Sequence, residues 1–144
     1  MPATLDFTQM IGVVTPNGSQ RNQSPNAAVF VWRLDFSKKA LVTPQTAKIG
    51  VLPKGFIYTG CEPILRTAQG GTSTLNIGTS ADPDGFRAGS NLNAGTDVHA
   101  GGTAGAITVG TFFASATEVW VEFASGTISV AVLDVVVRGI LLPR

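Results

Sequence analysis

His99 is the one histidine of the chain, and Asp97 stands two residues before it. A histidine oriented by an aspartate can activate a serine for acyl transfer. No serine here lies in the Gly-x-Ser-x-Gly turn that exposes such a nucleophile. His99 falls in a glycine-rich segment, Ala81–Gly105, and reads as a solvated loop side chain. Cys61, the single cysteine, excludes an internal disulfide. It lies in an apolar run, where a free thiol behaves as a small hydrophobe. One histidine and one cysteine far apart cannot supply a zinc set. Asp82, Asp84 and Asp97 are oxygen donors of the kind calcium takes. The spaced third ligand and the bidentate glutamate of a calcium loop are missing, so Asp82 and Asp84 read as turn residues that bond nearby backbone N–H groups. Gly101–Gly105 lacks the lysine of a phosphate loop. Glycoside hydrolysis needs two carboxyl groups across a cleft. The only glutamates are Glu62, Glu118 and Glu122, and the last two share one strand face. These residues predict neither an enzyme nor a cofactor or metal site.

The elements that hold these residues read as strands. Phe56–Leu65 and Thr72–Ile77 flank Gly70-Gly71 and predict a hairpin, since glycine reaches positive φ freely. In the second run Leu75 and Ile77 alternate with Thr74 and Asn76, the period of a strand with one buried face. The run ends at Gly78, and Asp82-Pro83-Asp84-Gly85 turns the chain. Ala27–Phe36 puts Phe30, Trp32, Leu34 and Phe36 on one face, a core stripe. Lys38–Gln45 reads as a loop with Pro44 inside it, Ala47–Leu52 as a short strand, and Pro53-Lys54-Gly55 as a turn. Phe86–Asn93 follows a helix-like start and predicts one or two helical turns. Ala106–Phe113 alternates as a strand. Glu118–Phe123 sets Val119, Val121 and Phe123 against Trp120 and Glu122, and Ser125-Gly126-Thr127 predicts a hairpin turn. Ile128–Leu142 is apolar on both faces, with Val130, Val132 and Val136 opposite Ala131, Leu133, Val135 and Val137. A strand apolar on both sides must be covered on both sides. Seven to nine short runs with turns between them predict an all-β chain: an antiparallel β-sandwich, jelly-roll-like, over residues 27–144.

Residues 1–26 stand apart. Leu5, Phe7, Met10, Ile11, Val13 and Val14 precede a polar, turn-rich stretch from Thr15 to Asn26. They read either as a frayed terminus or as an extended arm whose apolar residues anchor on a neighbouring subunit. The start has neither the basic residues nor the long apolar run of a signal peptide, and no window reaches the ~18 apolar residues of a membrane helix.

Composition bears on partners. Charged residues make up 13% of the chain, against about 25% in ordinary soluble domains, while mean hydropathy is +0.26. Such a chain hides surface against other protein, because buried interface is depleted of charge. It is expected to form a homo-oligomer or larger assembly, with two contact regions: the arm residues above, and Val130, Val132 and Val136 of the final strand. A net charge of +1 with scattered lysines and arginines gives no footprint for nucleic acid or an anionic membrane.

The succession Ile49-Gly50-Val51-Leu52-Pro53-Lys54-Gly55, then Thr72–Phe86 (TSTLNIGTSADPDGF), resembles small structural proteins of tailed bacteriophages. The similarity spans roughly residues 29–137. Val119–Phe123, a glycine turn and an apolar last strand continue it. Those of the group with a role are capsid cement or decoration proteins with sandwich or jelly-roll folds that often trimerise on the shell. The resemblance implies a homotrimer on the capsid surface of a virion, bound to that virion's major capsid protein, with no catalytic residues to carry over. Two rival roles are a receptor- or glycan-binding module of a tail fibre or head spike, for which Trp120 and Tyr58 are the available aromatics, and a tail-tube or head–tail connector component.

Overall fold

The structure is a computed structural model that describes residues 4–6, 13–14, 27–42, 45–71, 73–93, 98–99 and 101–142. The described residues hold fourteen strands and no helix. In chain order they are β1 (Thr4–Asp6), β2 (Val13–Val14), β3 (Ala27–Asp35), β4 (Leu41–Val42), β5 (Thr46–Leu52), β6 (Phe56–Thr67), β7 (Thr74–Gly78), β8 (Arg87–Asn91), β9 (Val98–His99), β10 (Thr103–Ala104), β11 (Phe112–Phe113), β12 (Thr117–Ser125), β13 (Thr127–Ile128) and β14 (Val132–Leu141).

The strands make a β-sandwich. One sheet runs β1-β5-β12-β7-β8-β10. The other runs β11-β6-β14-β3-β2, with β9 also pairing β6. Pairing is antiparallel except for β1 on β5. Successive strands lie in different sheets at β1–β2, β3–β5, β5–β6, β6–β7, β8–β9, β9–β10, β10–β11, β11–β12 and β12–β14, the interleaved threading of a jelly-roll-like fold. Alternation built the core as the sequence predicts. Phe30, Trp32 and Leu34 are buried from β3 with Phe36 just beyond it, Leu75 and Ile77 from β7, and Val119, Val121 and Phe123 from β12. They meet Leu133, Val135 and Val137 of β14 in one cluster. Trp32 lies against Gly50, where a Cβ would collide with the indole ring, so β3 and β5 approach closely on the side where β1 and β2 pair.

The two expected glycine hairpins fail for one shared reason: the segments they join belong to different sheets. Gly70 and Gly71 do have positive φ, 80° and 71°, yet β6 and β7 form no hairpin. The ladders of β6 are already filled by β14 on one side and by β11 and β9 on the other, so the chain crosses over and β7 pairs β12 and β8. Gly126 also has positive φ, but it links β12 of one sheet to β13, which pairs β4, and thence to β14 of the other. The helix expected over 86–93 is instead β8, held between β7 and β10, with Phe86 N donating to Ile77 O at 2.9 Å. Of Ala106–Phe113 only β11 is a strand; Thr111 N donates to Thr108 O and Gly110 N to Tyr58 O, which folds 108–111 into a turn. The final strand begins at Val132, not Ile128. Inside the expected 38–45 loop, Leu41 and Val42 form β4; Pro44 lies outside the described residues.

The β6–β7 and β12–β14 crossovers at one end of the sandwich are joined by a single side chain. Gln69 Oε1 accepts from Ser129 N and Val130 N at 2.8 Å each and from Ala131 N at 3.2 Å. Three successive N–H groups aimed at one oxygen form a concave nest suited to a partial negative charge. Gln69→Ala removes the acceptor for all three. It is expected to cost about 1–2 kcal/mol in urea denaturation, whereas Gln69→Glu, which keeps an acceptor there, retains most of the stability.

Candidate assembly surface

The outward side of the second sheet is set by strand parity. With Leu133, Val135 and Val137 inside, the outward residues of β14 are Val132, Asp134, Val136, Arg138 and Ile140. Register then defines rows across the strands. Asp134 lies opposite Arg33 on β3 and Ile64 on β6. Val136 lies opposite Val31 and Glu62, and Ile140 opposite Ala27 and Ile57. Phe112 extends the last row, since it opposes Ile57 from β11.

The middle of this side is charged. Arg33 Nε and Nη2 donate to the two oxygens of Asp134 at 2.7 and 2.9 Å, and Arg66 Nε donates to Oδ2 at 2.8 Å. The Asp134 side chain is 5% exposed, those of Arg33 and Arg66 54% and 38%. A carboxylate can be buried at this cost only if it is paired and bonded on both oxygens. Hydrogen bonding to Arg33 holds its carboxyl below the usual range, against the opposing effect of burial and with further help from Arg66. One row along, Arg138 Nη1 meets Glu62 Oε2 at 2.7 Å. The strand is therefore not aliphatic along its whole outer side, because Asp134 and Arg138 interrupt it.

The predicted contact residues divide accordingly. Val136 is 6% exposed and lies outside the core cluster; it is enclosed in its own sheet between the two ion groups. Val132 is half-buried. Val130 lies in the turn before β14 and is 48% exposed, presented on the loop that Gln69 fixes. Of the arm residues, Leu5 sits in β1 on the edge of one sheet, in register with Ala47. Val13 and Val14 sit in β2 on the edge of the other, opposite Trp32 and Val31. Phe7, Met10 and Ile11 lie outside the described residues.

The large apolar residues left exposed gather at the two ends of the sandwich. Val42 and Val130 mark the end where β4 and β13 pair. Val51, Val109, Phe112, Ile140 and Leu142 mark the other. There Leu142 N donates to Gly55 O and Gly55 N to Phe113 O. Sequence reading passed over Phe112, Val109, Ile140 and Leu142. The usable signal was the Phe112-Phe113 pair: adjacent residues of a strand point to opposite sides, so one ring must face outward. Phe113 packs on the core and stacks on Phe56; Phe112 is the outward one.

The chemistry-bearing residues do not converge. Cys61 is buried, and burial pushes its thiol up to about 12. Tyr58, one of the two aromatics available to a binding module, is buried instead and packs at 5.1 Å from Phe86; the register shift opposite Gly139 lets both Tyr58 and Cys61 point inward, and burial raises the phenol to about 12. Glu62 lies on one sheet, Glu118 and Glu122 on the other. Glu118 bonds Lys48 Nζ and Trp120 Nε1, both at 3.1 Å, and the lysine contact first of all lowers its carboxyl. Partial desolvation, then Asp84 beside it, raises the Asp82 carboxyl. No group of three or more metal-binding side chains occurs among the described residues. His99 pairs Ile64 through β9, and Asp97 lies outside the described residues.

Two solved structures share this fold. One is a chain of the cyanophage Pam1 capsid asymmetric unit, with 23% identity and a TM-score of 0.59 over 90% of this chain and 99% of that one. The other is a chain of the capsid of Ralstonia phage GP4, with 17% identity and a TM-score of 0.66 over 99% of this chain and 100% of that one. No protein-family model and no curated protein matches the sequence.

The Asp134 group gives a pH signature. A carboxyl whose folded pKa lies below its unfolded value stabilises the fold in full above about pH 4 and loses that contribution as pH falls through the lowered value. Asp134→Asn is expected to cost about 2 kcal/mol at pH 7, less than for a wholly buried pair because the arginines stay partly wet. The variant should also show a shallower loss of stability between about pH 4 and 2, read by denaturant titration at each pH. A slope equal to that of the unaltered chain would refute the assignment.

Proposed function

We propose that this chain is a structural protein of a bacteriophage virion that cements or decorates the capsid, binding across capsomers as a homo-oligomer, a trimer in the simplest case. The observation that carries the reading is likeness of fold over nearly the full length of two chains from phage capsids. The chain's low charge and the apolar residues exposed at both ends of the sandwich support it. So does the resemblance of residues 72–86 to small phage structural proteins.

In this role the chain acts by linkage. A protein that binds the assembled lattice and not free capsomers favours the lattice, by about 2.7 kcal/mol at a free concentration a hundred times the dissociation constant. The exposed ends, Val130 among them, supply the apolar contacts, and the arm adds to them. The partner is the major capsid protein of the same particle, and the site of action is the capsid surface. Neither a cofactor nor a catalytic step enters.

The test is addition of purified protein to capsid shells that lack it, followed by thermal melting of the shells. The unaltered chain is expected to bind and raise the melting temperature. The double variant Val130→Asp, Phe112→Asp should bind at least about tenfold more weakly, while its own unfolding temperature shifts by only a few degrees, since both residues are exposed. Shells whose melting the unaltered protein leaves unchanged would overturn the reading.

A further inference from the structure

Three observations meet at the end of the sandwich marked by Phe112 and Ile140. First, the arm occupies two edges of the fold through very short ladders: β1 covers the edge at β5 over three residues, and β2 covers the edge at β3 over two. Second, β2 is antiparallel to β3, and Val14 lies opposite Val31, so the chain leaving Val14 heads toward the Ala27 end of β3. That end is four positions away from Val31, or about 13 Å along a strand. Twelve residues, 15–26, make the connection, and twelve residues can reach about 40 Å. The connection is far longer than its own fold requires, and it is rich in Asn, Gln, Ser and Gly. Third, Ala27 is in register with Ile140, Ile140 with Ile57, and Ile57 with Phe112. The outward apolar row therefore begins where this connection rejoins the sheet.

From these we propose that copies of this chain exchange their N-terminal arms: residues 4–6 and 13–14 of one copy take the β5 and β3 edges of a second copy, and the two bodies meet over the Ala27–Ile140–Ile57–Phe112 row. An edge that accepts the arm of its own chain accepts the same arm from another copy through the same ladder. Exchange thus loses no ladder bond. It adds a contact between bodies that the unexchanged chain lacks, located at the base of the connection. The exposed row is apolar surface that such a contact buries. Twelve residues are enough to span from one body to another, and the length of the connection adds little to the cost of either arrangement because closure entropy grows slowly with loop length. The inference deepens the proposed assembly role and rests on it only for the self-association, not for the capsid partner.

The experiment uses the full chain with Val14→Cys and Val31→Cys, oxidised at concentrations where the unaltered chain sediments as an oligomer. Opposed residues of an antiparallel pair lie within disulfide reach, and the buried Cys61 thiol does not compete. Exchange predicts covalent oligomers on a non-reducing denaturing gel, collapsing to monomer on reduction. A second arm of the test deletes residues 1–14, which should leave a folded monomer by sedimentation. A third, Phe112→Asp with Ile140→Asp, should weaken association at least about tenfold. Quantitative intrachain disulfide, a deletion variant that stays oligomeric, or an unaltered chain that is monomeric throughout would each overturn the proposal. The disulfide-locked protein is also added to capsid shells: a locked monomer that still raises shell melting sinks the exchange and leaves the virion role standing.

Discussion

The pairing of β14 with both β3 and β6 is the constraint on which the other features depend. It makes the longest ladders of the fold, unbroken along β3 and with two register shifts along β6, and it places the strand at the centre of its sheet. A central strand contributes one side to the core, and here that side is Leu133, Val135 and Val137, all fully buried. Once β14 lies beside β6, the open ladder of β6 is limited to its far edge, where β11 and β9 bind. Consequently β7 must leave for the other sheet, and the Gly70-Gly71 turn becomes a corner between layers. The same ladder fixes which side chains of β3, β6 and β11 fall into each outward row.

The outward side of β14 required a separate solution. A charge at Asp134 in the middle of a sheet has little access to water, and an unpaired carboxylate there would be strongly disfavoured. Arg33 and Arg66, one from each neighbouring strand, supply the missing partners. Glu62 and Arg138 repeat the arrangement one row along. Val136 sits between these two groups and is shielded by them. The charge-poor sequence thus spends several of its few ionic residues on this one surface, which explains why the remaining surface has so little charge to cover its apolar residues.

Local period was legible in the sequence and partnership was not. The buried faces of β3, β7 and β12 follow directly from alternation, because a strand with one face in the core must repeat every second residue. Phe30 through Phe36 and Val119 through Phe123 were therefore placeable without any knowledge of neighbours. Which strand lies beside which depends on contacts distant in sequence, and a glycine turn looks the same whether it joins strands of one sheet or of two. Gly70-Gly71 and Gly126 both misled for that reason. Phe86–Asn93 carried a helix-like start, but its backbone groups were claimed by β7 and β10, and tertiary pairing overrode local preference. At the candidate surface, Val130 was legible as an apolar residue needing cover, though it was credited to the final strand and lies in the turn before it. Phe112 was hidden because its alternation was credited to a strand over 106–113 that is mostly turn.

The edges of the sandwich restrict how it can associate. Both sheets end in strands of two or three residues: β1 and β10 in one, β2 and β11 in the other. Short edges offer few free N–H and C=O groups in line, so a second molecule gains little by extending either sheet. The centre of the second sheet is equally poor ground for contact, since burying Arg33, Asp134, Arg66, Glu62 and Arg138 would strip water from charges already paired. With the edges blunted and that centre ionic, the exposed apolar residues that remain are those at the two ends. Contact at the ends leaves both sheets intact and both ion groups hydrated. In the proposed assembly the sandwich bodies therefore meet at their ends, and only the short arm strands pass from one body into the sheets of another.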